Sequence, residues 1–398
     1  MLEPTTMPTS GQTSGATSVL FVDHTAVLSG AEIKLRRYCN HLVGRPEFDV
    51  RVLLGAHGPL ETALRGDGVT VEVVPLPKQV ATLRRAQLRD LRNVLRACWL
   101  IASYVLRLRR VLRRSGADFY HSFSLKSNIY VGVAALGLPG CHIWQANDHV
   151  STGYLGSGVV ARVVRTLPRV LRSHVSANSV STAQTYPAAT PHSVVYPPLP
   201  TGWPDALEQW TPTPGPARIG MVGRISPWKG QDVFLRAFAA EFRGSSVEAV
   251  IVGAALFGES DYAAELVALC KSLDISDQVT FAGNSSDVPG ELSQMSCLVH
   301  CSVLPEPFGQ VVSEAMAVGV PVIAARAGGP LEIIDDRHTG LLVAPGDVDG
   351  LRVAMRRLLD DTAFAVGLGQ AGREASRRFG DDEFVAALQA MFDHARAR

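Results

Sequence analysis

The sequence predicts an α/β protein built from two domains of one kind. Three observations carry this. Short apolar strands alternate with helix-like stretches. The alternation stops once, at a proline-rich segment, and restarts after it. The chain also has material for two cores, with 398 residues of which 46% are hydrophobic and 19% charged. The strand candidates are apolar throughout rather than alternating, the pattern of parallel strands covered on both faces.

Residues 1–17 are rich in Thr, Ser, Gly and Pro and have neither a basic start nor an apolar core. They are expected to be a disordered tail rather than a secretory leader. The first domain, 18–200, has strands expected at VLFVDHT from Val19, VRVLLG from Val50, TVEVVPL from Thr70, DFYHSF from Asp118 and HIWQAN from His142. Residues 201–216 continue a proline-rich stretch that begins at Pro197. Proline fixes φ and removes a donor, so this stretch reads as the linker. The second domain, 217–380, has strands expected at ARIGMVG, EAVIVG, QVTFAG, CLVHCSV, PVIAAR and GLLVAP. A last helix, about 381–398, is expected to return to the first domain. Each half is then Rossmann-like, with ligands beyond the carboxyl ends of its strands. A deep cleft between the facing domains is the expected binding place.

The net charge of +1 does not call for nucleic acid. The most apolar window, residues 97–106, is about half of the roughly 20 residues a membrane-spanning helix needs. A cytoplasmic protein is expected. Six scattered cysteines without a CxxC pair read as reduced, buried thiols.

Chemistry concentrates at strand ends. Gly223 and Arg224 follow ARIGMVG, and Lys229 comes five residues after Arg224. A fork-shaped and a point-like cation there suit a diphosphate. In LPEPFGQVVSEAMAVGVPVIA, Glu306 lies in a tight loop and a helix is expected from Gly309 or Gln310 to Ala317 or Val318, capped by Gly319. The amides of Phe308, Gly309 and Gln310 would point out of the helix start toward an anion or hydroxyl. Glu314 falls about one turn inside, so two carboxylates eight apart are each placed to hold vicinal hydroxyls. The bland reading makes them acids that merely favour the helix start. Gly30 in LSGAE sits at a strand-to-helix turn open to close ligand approach. Gly328 and Gly329 before Pro330 repeat that design. His121 and Asp148 each follow a first-domain strand and are the acceptor-side candidates. Asp347 and Asp349 in DVD read as a helix cap rather than a metal pair. No metal is expected.

Together these pieces resemble glycosyltransferase family 4, the retaining GT-B enzymes, over nearly the whole chain after residue 18. The motifs are the E-x7-E element from Glu306 to Glu314, GRISPWKG as the G-R-x4-K-G element, the segments IVGAALFGE and GGPLEIIDDRHTGLLVAPGD, and SGAE in the first half. The resemblance implies that Arg224 and Lys229, next to Gly223, bind a donor diphosphate. It implies that Glu306 contacts the donor sugar with the Phe308, Gly309 and Gln310 backbone, and that Glu314 binds the ribose. Gly30 and Ala31 would close on the phosphates. The nucleotide-diphosphate sugar is then a substrate, no cofactor is involved, and the partner is a sugar, lipid-linked or small-molecule acceptor. The leaving phosphate would take the acceptor proton, so charge neutralisation is the main lever. Many members place a histidine after the strand matching HIWQAN. Here Asn147 and Asp148 stand there, with His149 one further on, and Asp148 is the expected replacement. Rival readings are a sugar-nucleotide 2-epimerase of the same architecture and a non-catalytic nucleotide-sugar-binding protein.

Residues 84–114 carry ten arginines and one acid, Asp90. Leu88, Leu91, Leu95, Trp99 and Leu106 run roughly along one helix face. This reads first as a helix packed on the first domain with solvated arginines. The second reading is peripheral contact with the inner face of the cell membrane.

Overall fold

The computed structural model describes residues 15–77, 91–212, 214–256 and 258–397, without the side chains of 91–95. Most of the expected tail (1–14) and residues 84–90 of the basic stretch lie outside the described residues. The chain divides into two compact units. Unit 1 takes residues up to Asn178, Thr182–Pro198 and those from Val385 on; unit 2 takes Ser179–Ser181 and Leu199–Phe384.

Unit 1 is a seven-stranded sheet of β1 (Thr17–Asp23), β2 (Phe48–Leu54), β3 (Thr70–Val73), β4 (Phe119–Ser122), β5 (Cys141–Ala146), β6 (His174–Ala177) and β7 (His192–Val194). The order is β3-β2-β1-β4-β5-β6-β7, with every neighbour parallel. Unit 2 is a six-stranded sheet of β8 (Arg218–Val222), β9 (Glu248–Val252), β10 (Val279–Gly283), β11 (Cys297–His300), β12 (Val322–Ala325) and β13 (Leu341–Val343). Its order is β10-β9-β8-β11-β12-β13, again with parallel ladders. The winding reverses between β1 and β4 in one unit and between β8 and β11 in the other. Those reversals open a crevice at the strands' carboxyl ends.

All seven β1 residues are buried, as expected of a strand covered on both faces. On the helix Gln231–Phe242, Phe234, Phe238 and Phe242 recur every four residues and are fully buried. Each contributes roughly 1.5–3 kcal/mol by leaving water. β6 and β7 are not among the expected strands. Their residues include His174, Ser176 and His192, and His174 and Ser176 are buried despite being polar.

The proline-rich segment does not run free. The Trp210 indole donates to the Met295 carbonyl at 2.9 Å, and the Arg373 guanidinium donates to the carbonyls of Pro204, Leu207 and Glu208. The helix Asp381–Arg396 brings Phe392 onto Phe119, with ring centroids 4.3 Å apart. In the helix Leu91–Ser115 the buried face is Ala97, Tyr104, Leu108 and Leu112. Trp99 and Leu106, expected on the apolar face, are exposed, at 69% and 55%. The spacing Ala97-Tyr104-Leu108-Leu112 holds the inward stripe, and Trp99 and Leu106 fall on the opposite side of the helix. The thiols also differ from expectation: Cys98 is exposed and Cys141 half-buried, although all six are free. Among the described residues no helix is long and apolar enough to cross a membrane.

Candidate functional site

In unit 2 the reversal point is furnished by two loops. After β8 the chain passes Gly223 and Arg224 and makes a one-turn helix, Pro227–Lys229. Gly230 then starts the next helix at φ +76. A Cβ on Gly230 would sit 2.2 Å from the Cys301 carbonyl oxygen, so only glycine lets this loop lie against the exit of β11. That contact aims Lys229 at the second loop. Its Nζ donates to Glu306 Oε2 at 2.7 Å and lies 4.2 Å from the Trp228 ring centre.

The second loop leaves β11 at His300. Glu306 Oε2 accepts two more hydrogen bonds, from His300 Nε2 at 3.1 Å and from the Ser302 hydroxyl at 2.9 Å. All three donors meet one oxygen. Glu306 is 8% exposed. Burial alone would raise its carboxyl, but the Lys229 charge and the His300 hydrogen bond outweigh burial and hold it well below the usual carboxylate range. A buried carboxylate with this many donors is fixed in place and ionised.

The loop is braced from behind. Gly329 N–H donates to the Glu306 carbonyl at 2.8 Å. Gly328 has φ +70, and a Cβ there would lie 2.1 Å from that same carbonyl oxygen. Gly309, at φ +99, caps the helix Gln310–Val318 without a side-chain hydrogen bond, and Gly319 ends it at φ +93. The first-turn amides are thus left without a side-chain acceptor. Glu314, in the second turn, is buried. The Phe308 ring packs edge-on against Phe379 at 5.5 Å, and its backbone lies close against Gly329. The Gln310 side-chain nitrogen is buried with no hydrogen-bond partner among the described residues. Arg224 Nε lies 3.6 Å from Glu259 Oε2, and Ser226 donates to the other Glu259 oxygen at 2.5 Å. Asp347 caps the helix Val348–Asp360 by accepting from the Gly350 amide, the role expected of it.

In unit 1, Gly30 starts the helix Gly30–Leu42 and is exposed with open space where a Cβ would be; Ala31 is half-buried. Asp148, just beyond β5, is exposed, whereas His149 is buried. His121 departs from expectation. Its ring is wholly buried among Phe21, Tyr38, Phe123 and Phe392. Nε2 bonds Gln145 Oε1 at 2.9 Å. Burial pushes it down to about 3, so it is a neutral core residue and not an acceptor contact. The sheet geometry explains this: His121 points from mid-β4 into the layer beneath it rather than off the strand end.

Other residues at the carboxyl ends carried no motif. Asp23 is fully buried, and its Oδ1 meets the Ser124 hydroxyl at 2.8 Å and His24 Nδ1 at 3.0 Å. Lys34, 3% exposed, donates to the Asn147 side-chain oxygen. Burial pushes its amine down to about 7 against the pull of Asp148. His300 and Ser302 were also missed. The signal available for them was a lone histidine closing an apolar strand, CLVHCS, four to six residues before Glu306.

Residues 205–375 match the family model described as glycosyl transferases group 1. Among curated proteins, the chain is 32% identical over 186 residues to a D-inositol 3-phosphate glycosyltransferase of Salinispora arenicola (strain CNS-205), covering 45% of this chain and 41% of that protein. It is 34% identical over 163 residues to a GDP-mannose-dependent alpha-(1-6)-phosphatidylinositol monomannoside mannosyltransferase of Mycobacterium tuberculosis (strain ATCC 25618 / H37Rv), covering 38% and 41%. The chain thus spans about two fifths of the length of these relatives. Among solved structures, Anabaena Alr3699/HepE in complex with UDP-glucose superposes with TM-score 0.77 at 25% identity, over 96% of this chain and 100% of that one. Sucrose-phosphate synthase of Thermosynechococcus elongatus shares the fold, with TM-score 0.72 at 19% identity over 94% and 97%.

Proposed function

This chain has the GT-B glycosyltransferase fold, with a glycosyl transferases group 1 segment at residues 205–375, and from that premise we propose that it moves a sugar from a UDP- or GDP-sugar to an acceptor hydroxyl. The observation that carries the proposal is the Lys229–Glu306 pair at the reversal point of the unit 2 sheet, with His300 and Ser302 on the same carboxylate oxygen. The crevice at such a point is where open α/β sheets bind nucleotides. A buried carboxylate fixed through Oε2 presents Oε1 to sugar hydroxyls. Lys229 and Arg224 supply positive charge for the diphosphate, Glu314 the ribose contact, and the Gly309 and Gln310 amides further donors. The UDP-glucose complex of the Anabaena neighbour supports this choice of donor class.

The reaction then needs no separate base. The bond from the sugar's anomeric carbon to the phosphate oxygen breaks, with its electron pair leaving on the diphosphate. The acceptor oxygen bonds the same carbon from the same face, and its proton passes to the departing phosphate. Configuration is retained, as in glycosyltransferase family 4. Lys229 and Arg224 stabilise the charge that grows on the diphosphate, a metal-independent form of electrostatic catalysis. We assign the acceptor to unit 1, with Asp148 as its nearest candidate; Gly30 and Ala31 stay candidates for the donor phosphates. The exposed Trp99 and Leu106, with arginines on the same helix, support a peripheral membrane contact of that unit. The test is transfer from labelled UDP- and GDP-sugars to a panel of acceptors, with the product anomer read by NMR. Retained configuration is expected; an inverted product or epimerised free donor contradicts the proposal.

A further inference from the structure

Unit 1 holds a cavity of about 580 Å³ lined from Val150 on, directly after Asp148 and His149 in the chain, between the helix Gly158–Val170 and the segment around Gln184. Arg162, Arg165 and Thr166 border it on the helix side, and Thr152 and Gln184 face them. Its charge is one-sided for a reason visible in the sequence. No Asp or Glu occurs between Asp148 and Asp205, a stretch that carries Arg162, Arg165, Arg169 and Arg172. Among the described residues no carboxylate pairs with Arg162 or Arg165. Several arginines elsewhere are matched: Arg36 with Asp67, Arg65 with Glu61, Arg326 with Asp336, Arg352 and Arg356 with Glu241.

The helix itself sorts its residues by chemistry. Ala161, Val164 and Pro168 are buried. At 100° per residue, Arg162, Arg165 and Arg169 form one exposed stripe and Val159, Val163 and Val170 the adjoining one. Two guanidinium forks that lack an anion, beside a cavity with amide and hydroxyl donors, match the oxygens of a phosphate group.

We infer that the Arg162–Arg165 cavity is a binding site for an anionic group of phosphate type. Under the proposed function it is the subsite for the charged part of an acceptor, a statement that rests on that function, whereas anion binding itself does not. The valine stripe beside it suits an anion carried on an apolar chain as well as a soluble one, so the source is left to the experiment.

The experiment compares the full-length protein with Arg162→Gln/Arg165→Gln. A charge-matched control, Arg236→Gln/Arg243→Gln, changes two exposed arginines on the helix Gln231–Phe242 of unit 2 and at its end, and Lys229→Ala serves as a donor-site variant. Inorganic phosphate is titrated by calorimetry. Flotation is run with vesicles of phosphatidylglycerol and phosphatidylcholine (about 1:3) and of phosphatidylcholine alone. Phosphate binding weakened about tenfold or more in Arg162→Gln/Arg165→Gln, but kept in the control and in Lys229→Ala, supports the site with a soluble ligand. Flotation with phosphatidylglycerol that only this double variant loses supports it with a lipid headgroup. Loss in Lys229→Ala alone, equal loss in the charge-matched control, or no binding of either probe by the wild type overturns it. Both arginines are exposed, so near-unchanged melting of the double variant is the check that folding is intact.

Discussion

The reversal points of the two sheets occupy the same place in the same topology, yet they handle buried charge in opposite ways. Unit 2 places Glu306 between Lys229, His300 and Ser302, so a buried acid is met by a cation and two further donors. Unit 1 buries its basic groups largely among neutral partners. Burial pushes Lys34 down to about 7 and both His121 and His142 down to about 3. His142 is held by the hydroxyls of Ser122 and Ser173 rather than by an acid. Burial disfavours charge unless a partner of opposite sign stands close. Unit 2 thus keeps a charged centre ready for a polar ligand, while unit 1 lowers the basicity of its buried amine and imidazoles.

The strongest way to break this contrast is to remove either end of the unit 2 pair. Lys229→Ala and Glu306→Ala are each expected to lower the transfer rate by about 10²–10³-fold, the scale for removing one electrostatic contact to a transition state. Steady-state kinetics with a labelled nucleotide sugar checks this. Next comes the backbone brace. Gly328→Ala forces a left-handed conformation costing about 1–2 kcal/mol and drives a Cβ into the Glu306 carbonyl. A drop in melting temperature of several degrees by calorimetry, together with weaker donor binding, is the expected result.

His300→Ala sharpens the comparison, because it removes one donor and keeps the ion pair. It is expected to cost about 1–3 kcal/mol at neutral pH in urea titrations. The Glu306 carboxyl is depressed in the folded state, so the stability it contributes is present above the unfolded carboxylate value, near 4.5, and is lost as pH falls below that. The difference between wild type and His300→Ala should therefore shrink in acid. The smallest effect belongs to unit 1. The folded Lys34 amine sits near 7 and the unfolded one near 10.5. Between those values the unfolded chain binds more protons, so wild-type stability should rise with pH by at most about 1.4 kcal/mol per unit from this group. Lys34→Met should remove that rise; an unchanged slope contradicts the assignment.

The fold was legible in the sequence wherever strands are uniformly apolar, as in β1 or β9, because burial on both faces leaves its mark residue by residue. It was not legible at β6 and β7, where His174 and Ser176 are buried in a short strand and break the apolar run. The helix Gln310–Val318 was readable to within one residue at each end because glycine stands at both ends. For the site, the residue types at strand ends were readable, but their contact was not: Lys229 and Glu306 are 77 residues apart and meet only because β8 and β11 are neighbours. His300, Ser302 and Lys34 stayed hidden because a buried polar side chain in an apolar segment looks the same whether it supports a core or a site. His121 shows the reverse error, a motif-like histidine that the packing turns inward.

The most direct test is calorimetric titration of UDP- and GDP-sugars into the wild type, Lys229→Ala and Glu306→Gln. At least one nucleotide sugar should bind the wild type, with affinity reduced about tenfold or more in both variants. Failure of the wild type to bind any of them, or equal binding by both variants, would contradict a donor site built on the Lys229–Glu306 pair.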